Sequence, residues 1–147
     1  MTERGQMRIT KTELACIGIF LVLCGVSIYF YPQMPGRMAC HWDLHGQVNG
    51  YMPKSINMFI CPLILMVFIV VLTVVPRVAS VAANIEGFRK FYGGLVIFFS
   101  VFLLAIQYQM ILWNLGIEIN PAMMILPMTA AIITWPILRI YRAHWQN

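Results

Sequence analysis

The sequence predicts an all-α integral membrane protein, a bundle of four transmembrane helices with both ends in the cytoplasm, on three observations. The 147 residues are 61% hydrophobic and only 10% charged, with a mean hydropathy of +0.78, outside the range of ordinary water-soluble domains. Four stretches are long and apolar enough to cross a bilayer. The basic residues that flank these stretches fall mainly on one side. A soluble domain of this size would expose a large share of its residues and could not hide so much apolar surface.

The four spans are 14–31, 56–75, 92–115 and 121–141. At about 1.5 Å of rise per residue each covers roughly 27 to 36 Å, against a hydrocarbon core of about 30 Å. Arg4, Arg8 and Lys11 precede the first span, which runs on to Tyr31 without a small-residue cleavage site, so a retained helix is expected rather than a cleaved leader. Pro32 and Pro35 end that helix by removing amide donors, and a polar loop over 33–54 follows. Gly46 and Gly50 supply positive φ angles for its turns, giving a compact loop folded over the helix ends. The second connection, 76–91, carries Asn84 and then Glu86 three and four residues ahead of Arg89 and Lys90, a spacing that suits a short helix lying on the membrane surface. The third connection, about 116–120, is so short that the last two helices are antiparallel neighbours. No repeat and no low-complexity linker divides the chain, which reads as one domain.

With the N-terminus inside, the cytoplasmic side receives Arg4, Arg8, Lys11, Arg77, Arg89, Lys90, Arg139 and Arg142, and the outside only Arg37 and Lys54. This positive-inside bias explains the net charge of +5 better than nucleic-acid binding does, because the basic residues stand singly beside apolar runs. Tyr31, Trp42, Trp113, Trp135, Tyr141 and Trp145 lie near span ends as interface anchors. Cys16, Cys24 and Cys61 fall in or against apolar segments and only Cys40 in a polar loop, so no disulfide framework is implied. Gly18 and Gly25 share one face of the first helix and admit close approach of another helix, from this chain or from a second copy.

The loop carries the most specific signal. The run Pro35 to Lys54 contains His41-Trp42-Asp43, then Gly46, Gly50-Tyr51 and Lys54. In its place between the first and second spans, this pattern resembles the membrane domain of unknown function 1648. That domain also forms the N-terminal half of SdpI-type membrane proteins, which act in immunity to, and signalling of, a secreted bacterial killing factor. A weaker likeness lies at Pro76-Arg77 and over 84–92, so the resemblance extends to about the third helix. It implies a non-enzymatic, multi-pass protein of the cell membrane that senses or protects against an extracellular peptide or envelope stress. The loop residues His41, Trp42, Asp43, Gly46, Gly50, Tyr51 and Lys54 would then form the binding or structural surface, and Asn84, Glu86, Arg89 and Lys90 the contact to a soluble regulator inside. Asp43 stands where the pattern more often has Asn.

His41, Asp43 and His45 alternate, so an extended segment would point all three to one side. Two imidazoles and a carboxylate, with Cys40, Met34, Met38 or Met52 added, would suit zinc or copper. The structural alternative is that His41 and Asp43 bind backbone amides and Lys54 caps the loop. Of the acids Glu3, Glu13, Asp43, Glu86 and Glu118, none lies within a span, which removes intramembrane hydrolysis by paired carboxylates. Ser27 with an external histidine is the remaining nucleophile–base pairing. Gln107, Gln109 and Asn114, with Pro127, Thr129 and Thr134, are the polar or kinking features of the last two helices, and they read as interhelical packing rather than a transport pathway. The leading expectation is therefore an accessory or receptor role, with a small transporter or metal-handling protein built on His41, Asp43 and His45 as the alternative.

Overall fold

The computed structural model describes residues 10–43, 45–78 and 85–145. In chain order they form α1 (Lys11–Phe30), a single 3-10 turn (Tyr31–Gln33), β1 (Arg37–Trp42), β2 (Val48–Pro53), α2 (Lys54–Val78), α3 (Ile85–Asn114) and α4 (Pro121–Trp145). Three helical stretches, Lys11–Gln33, Lys54–Val71 and Gly93–Asn114, are long and apolar enough to cross a membrane. The apolar run of α4, Pro121–Trp135, is shorter.

The all-α expectation needs correction, because β1 and β2 pair antiparallel as a two-stranded sheet. Main-chain groups at the end of an apolar bundle need internal partners, and the ladder supplies them where a coil would not. A second correction concerns 84–90. Residues from Ile85 onward are the first turns of α3 rather than a separate surface helix, since no proline interrupts the chain between them and Gly93. Asn84, Arg4 and Arg8 lie outside the described residues, as do the side chains of Glu86, Arg89, Lys90 and Arg77.

Each helix follows from local chemistry. Thr10 caps α1 through a capping box: its Oγ1 accepts from Glu13 N–H at 3.2 Å, and Glu13 accepts from Thr10 N–H at 2.7 Å. Pro32 then tightens the exit of α1 into the 3-10 turn. Asn120 opens α4, its Oδ1 accepting from Ala122 N–H at 3.0 Å. α3 lies at the centre, packed by α1, α2 and α4. Gly94 makes the last contact possible: a Cβ there would lie 2.5 Å from Trp135 of α4.

One buried core joins Leu23 of α1, Cys61 and Leu65 of α2, and Leu103 and Met110 of α3. A second, beneath the hairpin, gathers Met34, Met38, Met58 and Ile111. The outward surface is apolar, with Leu14, Leu21, Ile28, Met123 and Leu126 each more than 60% exposed. In water that surface would oppose the fold at about 25 cal/mol per Å2, whereas lipid covers it at no such cost. Ser27, Asn57, Ser100, Gln107 and Gln109 face inward and are all buried, whereas Thr129 and Thr134 of α4, expected in interhelical packing, are exposed and bond carbonyls of their own helix. Gly18 and Gly25, by contrast, meet no other part of the described chain within 4 Å of a notional Cβ, so among the described residues no helix packs closely there.

Candidate functional site: the hairpin and its seat

The hairpin rests on a polar seat built around a proline. Pro62 lies in the interior of α2, where its missing N–H leaves the Met58 carbonyl without the usual donor four residues on. Two neighbouring helices supply the donors instead. Ser27 Oγ of α1 donates to Met58 O at 2.6 Å, and Gln107 Nε2 of α3 donates to it at 3.3 Å. Ser27 is thus buried and engaged with the backbone, which withdraws it from any pairing with an external histidine.

The preceding residue, Asn57, and Asn114 at the end of α3 hold the hairpin itself. Asn114 Oδ1 accepts from Ala39 N–H at 2.8 Å while its Nδ2 donates to Ala39 O at 3.1 Å. Asn57 Nδ2 adds a 3.4 Å bond to the same carbonyl. A carboxamide presents a donor and an acceptor side by side, so Asn114 meets β1 as a residue of a third strand would. Beside it Trp42 packs edge-on against Trp113, with ring centroids 5.4 Å apart.

At the tip, Asp43 organises the turn. Its Oδ1 accepts from His45 N–H and Gln47 N–H, both at 2.9 Å, and Asp43 N–H donates to Gln47 O. Gly46 has φ +79°, and its α-carbon faces the Asn120 side chain, which sets the tip beside the α3–α4 connection. Gly50 has no positive φ; it is needed because a Cβ there would lie 2.8 Å from His41 Cβ. Two bulges, one in each strand around Cys40 and Asn49, shift the register and then restore it. Lys54 spreads over the Tyr31 ring at 4.6 Å, and its Nζ reaches the Tyr31 carbonyl at 3.5 Å.

The motif residues therefore divide. Trp42, Asp43, Gly46, Gly50 and Lys54 build and seat the hairpin, whereas His41 and Tyr51 are exposed, His41 bonded through Nδ1 to the Asn49 side chain. His41, Asp43 and His45 do not converge: among the described residues no group of three His, Cys, Asp or Glu side chains could hold a metal ion. The reason is that Asp43 lies past the end of β1, in the turn, so the alternation assumed for an extended strand stops at Trp42. Met34 and Met38, considered as further ligands, are buried packing residues. Sequence reasoning passed over Asn57 and Pro62. A polar residue at the first turn of a span, and a proline with a serine or glutamine available on a neighbouring helix, are the signals that would have found them.

The fold and site define a class, a multi-helix protein with membrane-crossing helices and a small β-hairpin seated on one end of the bundle. Residues 18–66 match the family model described as domain of unknown function (DUF1648). The matched residues run from within α1, through the hairpin, to α2 just beyond Pro62, and include all seven motif residues of the loop. The weaker likeness at 76–92 falls outside them. No curated protein and no solved structure matches the chain.

Proposed function

We propose that this chain is a non-enzymatic, multi-pass protein of the cell membrane that senses or protects against an extracellular peptide or envelope stress through its hairpin. All four helices cross, with both termini in the cytoplasm and the hairpin outside, in keeping with the distribution of basic residues. The observation that carries the reading is the division of the motif. Five residues are consumed in building and seating the platform, and the side chains of His41 and Tyr51 are left exposed on it. A platform that holds exposed aromatic and polar groups on ordered strands suits recognition, because little ordering remains to oppose binding. The first turns of α3, with Glu86, Arg89 and Lys90, are the contact to a soluble regulator.

The test compares cells lacking the chain, cells carrying it, and cells carrying the double variant His41→Ala/Tyr51→Ala, challenged with secreted antimicrobial peptides and with membrane-active agents. Protection by the wild-type chain that the variant loses at equal membrane abundance supports the reading. Equal survival of all three across the panel ends it. The second reading, a small transporter, draws on the break in α2 at Pro62. Ser27 and Gln107 close the freed Met58 carbonyl with protein donors, so the receptor reading leads.

A further inference from the structure

α2 turns Cys61 and Leu65 into the core and leaves Leu63, Ile64, Val67 and Val71 exposed. With Phe68 and Phe99, whose ring centroids lie 4.6 Å apart, these side chains line a groove of about 360 Å3 between α2 and α3. That is the size of a small-molecule pocket, yet every lining side chain is hydrocarbon, so none can orient a polar ligand. The position of the groove along the helices tells what fills it. At about 1.5 Å of rise per residue, Leu63 and Val71 stand roughly 14 and 26 Å along α2 from Lys54 at the hairpin. Against a hydrocarbon core of about 30 Å, the groove therefore begins near the midplane and runs into the half of the bilayer opposite the hairpin. Its height, about 12 Å, is that of acyl chains in one leaflet, whereas a second helix packing alongside would run the length of the span.

Beyond the groove both helices become basic. Phe68 lies roughly 21 Å from Lys54 and Phe99 roughly 22 Å from Asn114, so the ring contact sets the antiparallel helices level with each other. On the same scale Arg77 of α2 stands about 35 Å from the hairpin end, and Arg89 and Lys90 of α3 about 36 to 38 Å. All three positions fall just past the hydrocarbon boundary, at the level of lipid phosphates. Glu86, one turn further along α3, is the only acid on either helix. We infer that the groove holds one acyl chain of an anionic phospholipid from the leaflet opposite the hairpin, with its headgroup at the level of Arg77, Arg89 and Lys90. The apolar walls take the chain, and the cations select the headgroup. Arg77 is the cation that the regulator contact leaves unused. The inference rests on the chain crossing a bilayer and not on the receptor reading, so either can fail alone.

The experiment titrates the full chain, delipidated in mild detergent, with phosphatidylglycerol and with phosphatidylcholine of identical acyl chains, read by native mass spectrometry. One phosphatidylglycerol per chain is expected to be retained, at least fivefold more tightly than phosphatidylcholine. Arg77→Gln is expected to weaken phosphatidylglycerol about fivefold, the factor that one basic residue near an anionic surface supplies, and to leave phosphatidylcholine unchanged. Val67→Trp, at an exposed position, fills the groove and is expected to remove both lipids, while Leu21→Trp on the exposed face of α1 keeps both. In the unmodified chain, phosphatidylglycerol with a diazirine midway along one acyl chain is expected to label peptides that contain 63–71 and 99. No retained lipid, equal retention of the two lipids, or retention that survives Val67→Trp overturns the inference. So does label spread as heavily over α1 and α4, or a second copy crosslinked at the groove in place of lipid.

Discussion

Removing the hydroxyl of Ser27 tests whether Pro62 organises the centre of the bundle. Met58 O, without a backbone donor because of Pro62, receives Ser27 Oγ at 2.6 Å and Gln107 Nε2 at 3.3 Å. Side-chain hydrogen bonds between membrane helices average about 0.6 kcal/mol and reach about 1.7 kcal/mol. The Ser27 bond is the shorter of the two and fully buried, so Ser27→Ala is expected to cost about 1 kcal/mol, with Gln107 left as the remaining donor. In a Pro62→Ala background an ordinary amide returns to position 62 and serves Met58 O, so the same serine substitution then costs close to nothing. A double-mutant cycle over the two positions, read by reversible unfolding in mixed micelles, is therefore expected to show a coupling of about 1 kcal/mol, beyond the roughly 0.3 to 0.5 kcal/mol scatter of independent sites. Additive effects would refute the account, because they would mean that Ser27 acts by packing and not by serving the carbonyl that the proline frees.

Three further outcomes follow from the hairpin. Asn114→Leu removes its own two bonds to Ala39 and is expected to raise the labelling rate of the Cys40 thiol by an impermeant maleimide several-fold, with Cys16, Cys24 and Cys61 unaffected in their helices; an unchanged rate would show that the Asn57 bond and the Trp42–Trp113 contact seat the hairpin without Asn114. Asp43→Asn keeps the Oδ1 acceptor for His45 and Gln47 and is expected to leave thermal stability within about 0.5 kcal/mol, whereas Asp43→Ala costs about 1 to 2 kcal/mol, as loss of a capping acceptor does elsewhere. Gly50→Ala forces a Cβ against His41 and is expected to destabilise the hairpin by about 1 to 3 kcal/mol, measured as faster proteolysis between β1 and β2.

Three of the helices were legible because a span declares itself by uncharged length, and the expected end of the first at 31 falls within a residue of the observed one, whereas the third begins at Ile85 rather than at 92 and the apolar run of the fourth is shorter than a span. The hairpin was not, since β1 and β2 hold only one β-branched residue between them, Val48, and their apolar residues do not alternate cleanly. Their strands are held by partners far away in sequence, with Asn114 lying 75 residues from Ala39. Gly50 was read as a turn residue, although its role depends on a cross-strand neighbour that only pairing creates. On the same ground His41, Asp43 and His45 do not gather into one group among the described residues. Alternation implies a shared face only while the strand continues, and Asp43 is where it stops.

The placement of Asn57 and Met58 side by side gives the hairpin a mechanical connection to the bundle. Asn57 bonds Ala39 of the hairpin, and the next residue offers the carbonyl that Ser27 of α1 and Gln107 of α3 hold. Lys54, one turn earlier, grips the exit of α1 at Tyr31. The part of α2 between Lys54 and Cys61 is thereby tied to the hairpin, to α1 and to α3. It is joined to the rest of α2 across a step where a helical hydrogen bond is missing. A force on the hairpin would therefore move this segment with it and pivot at Pro62, because bending there breaks no backbone bond while sliding past Ser27 and Gln107 breaks two. The proline thus sets the seat of the hairpin and the place where that seat is free to tilt.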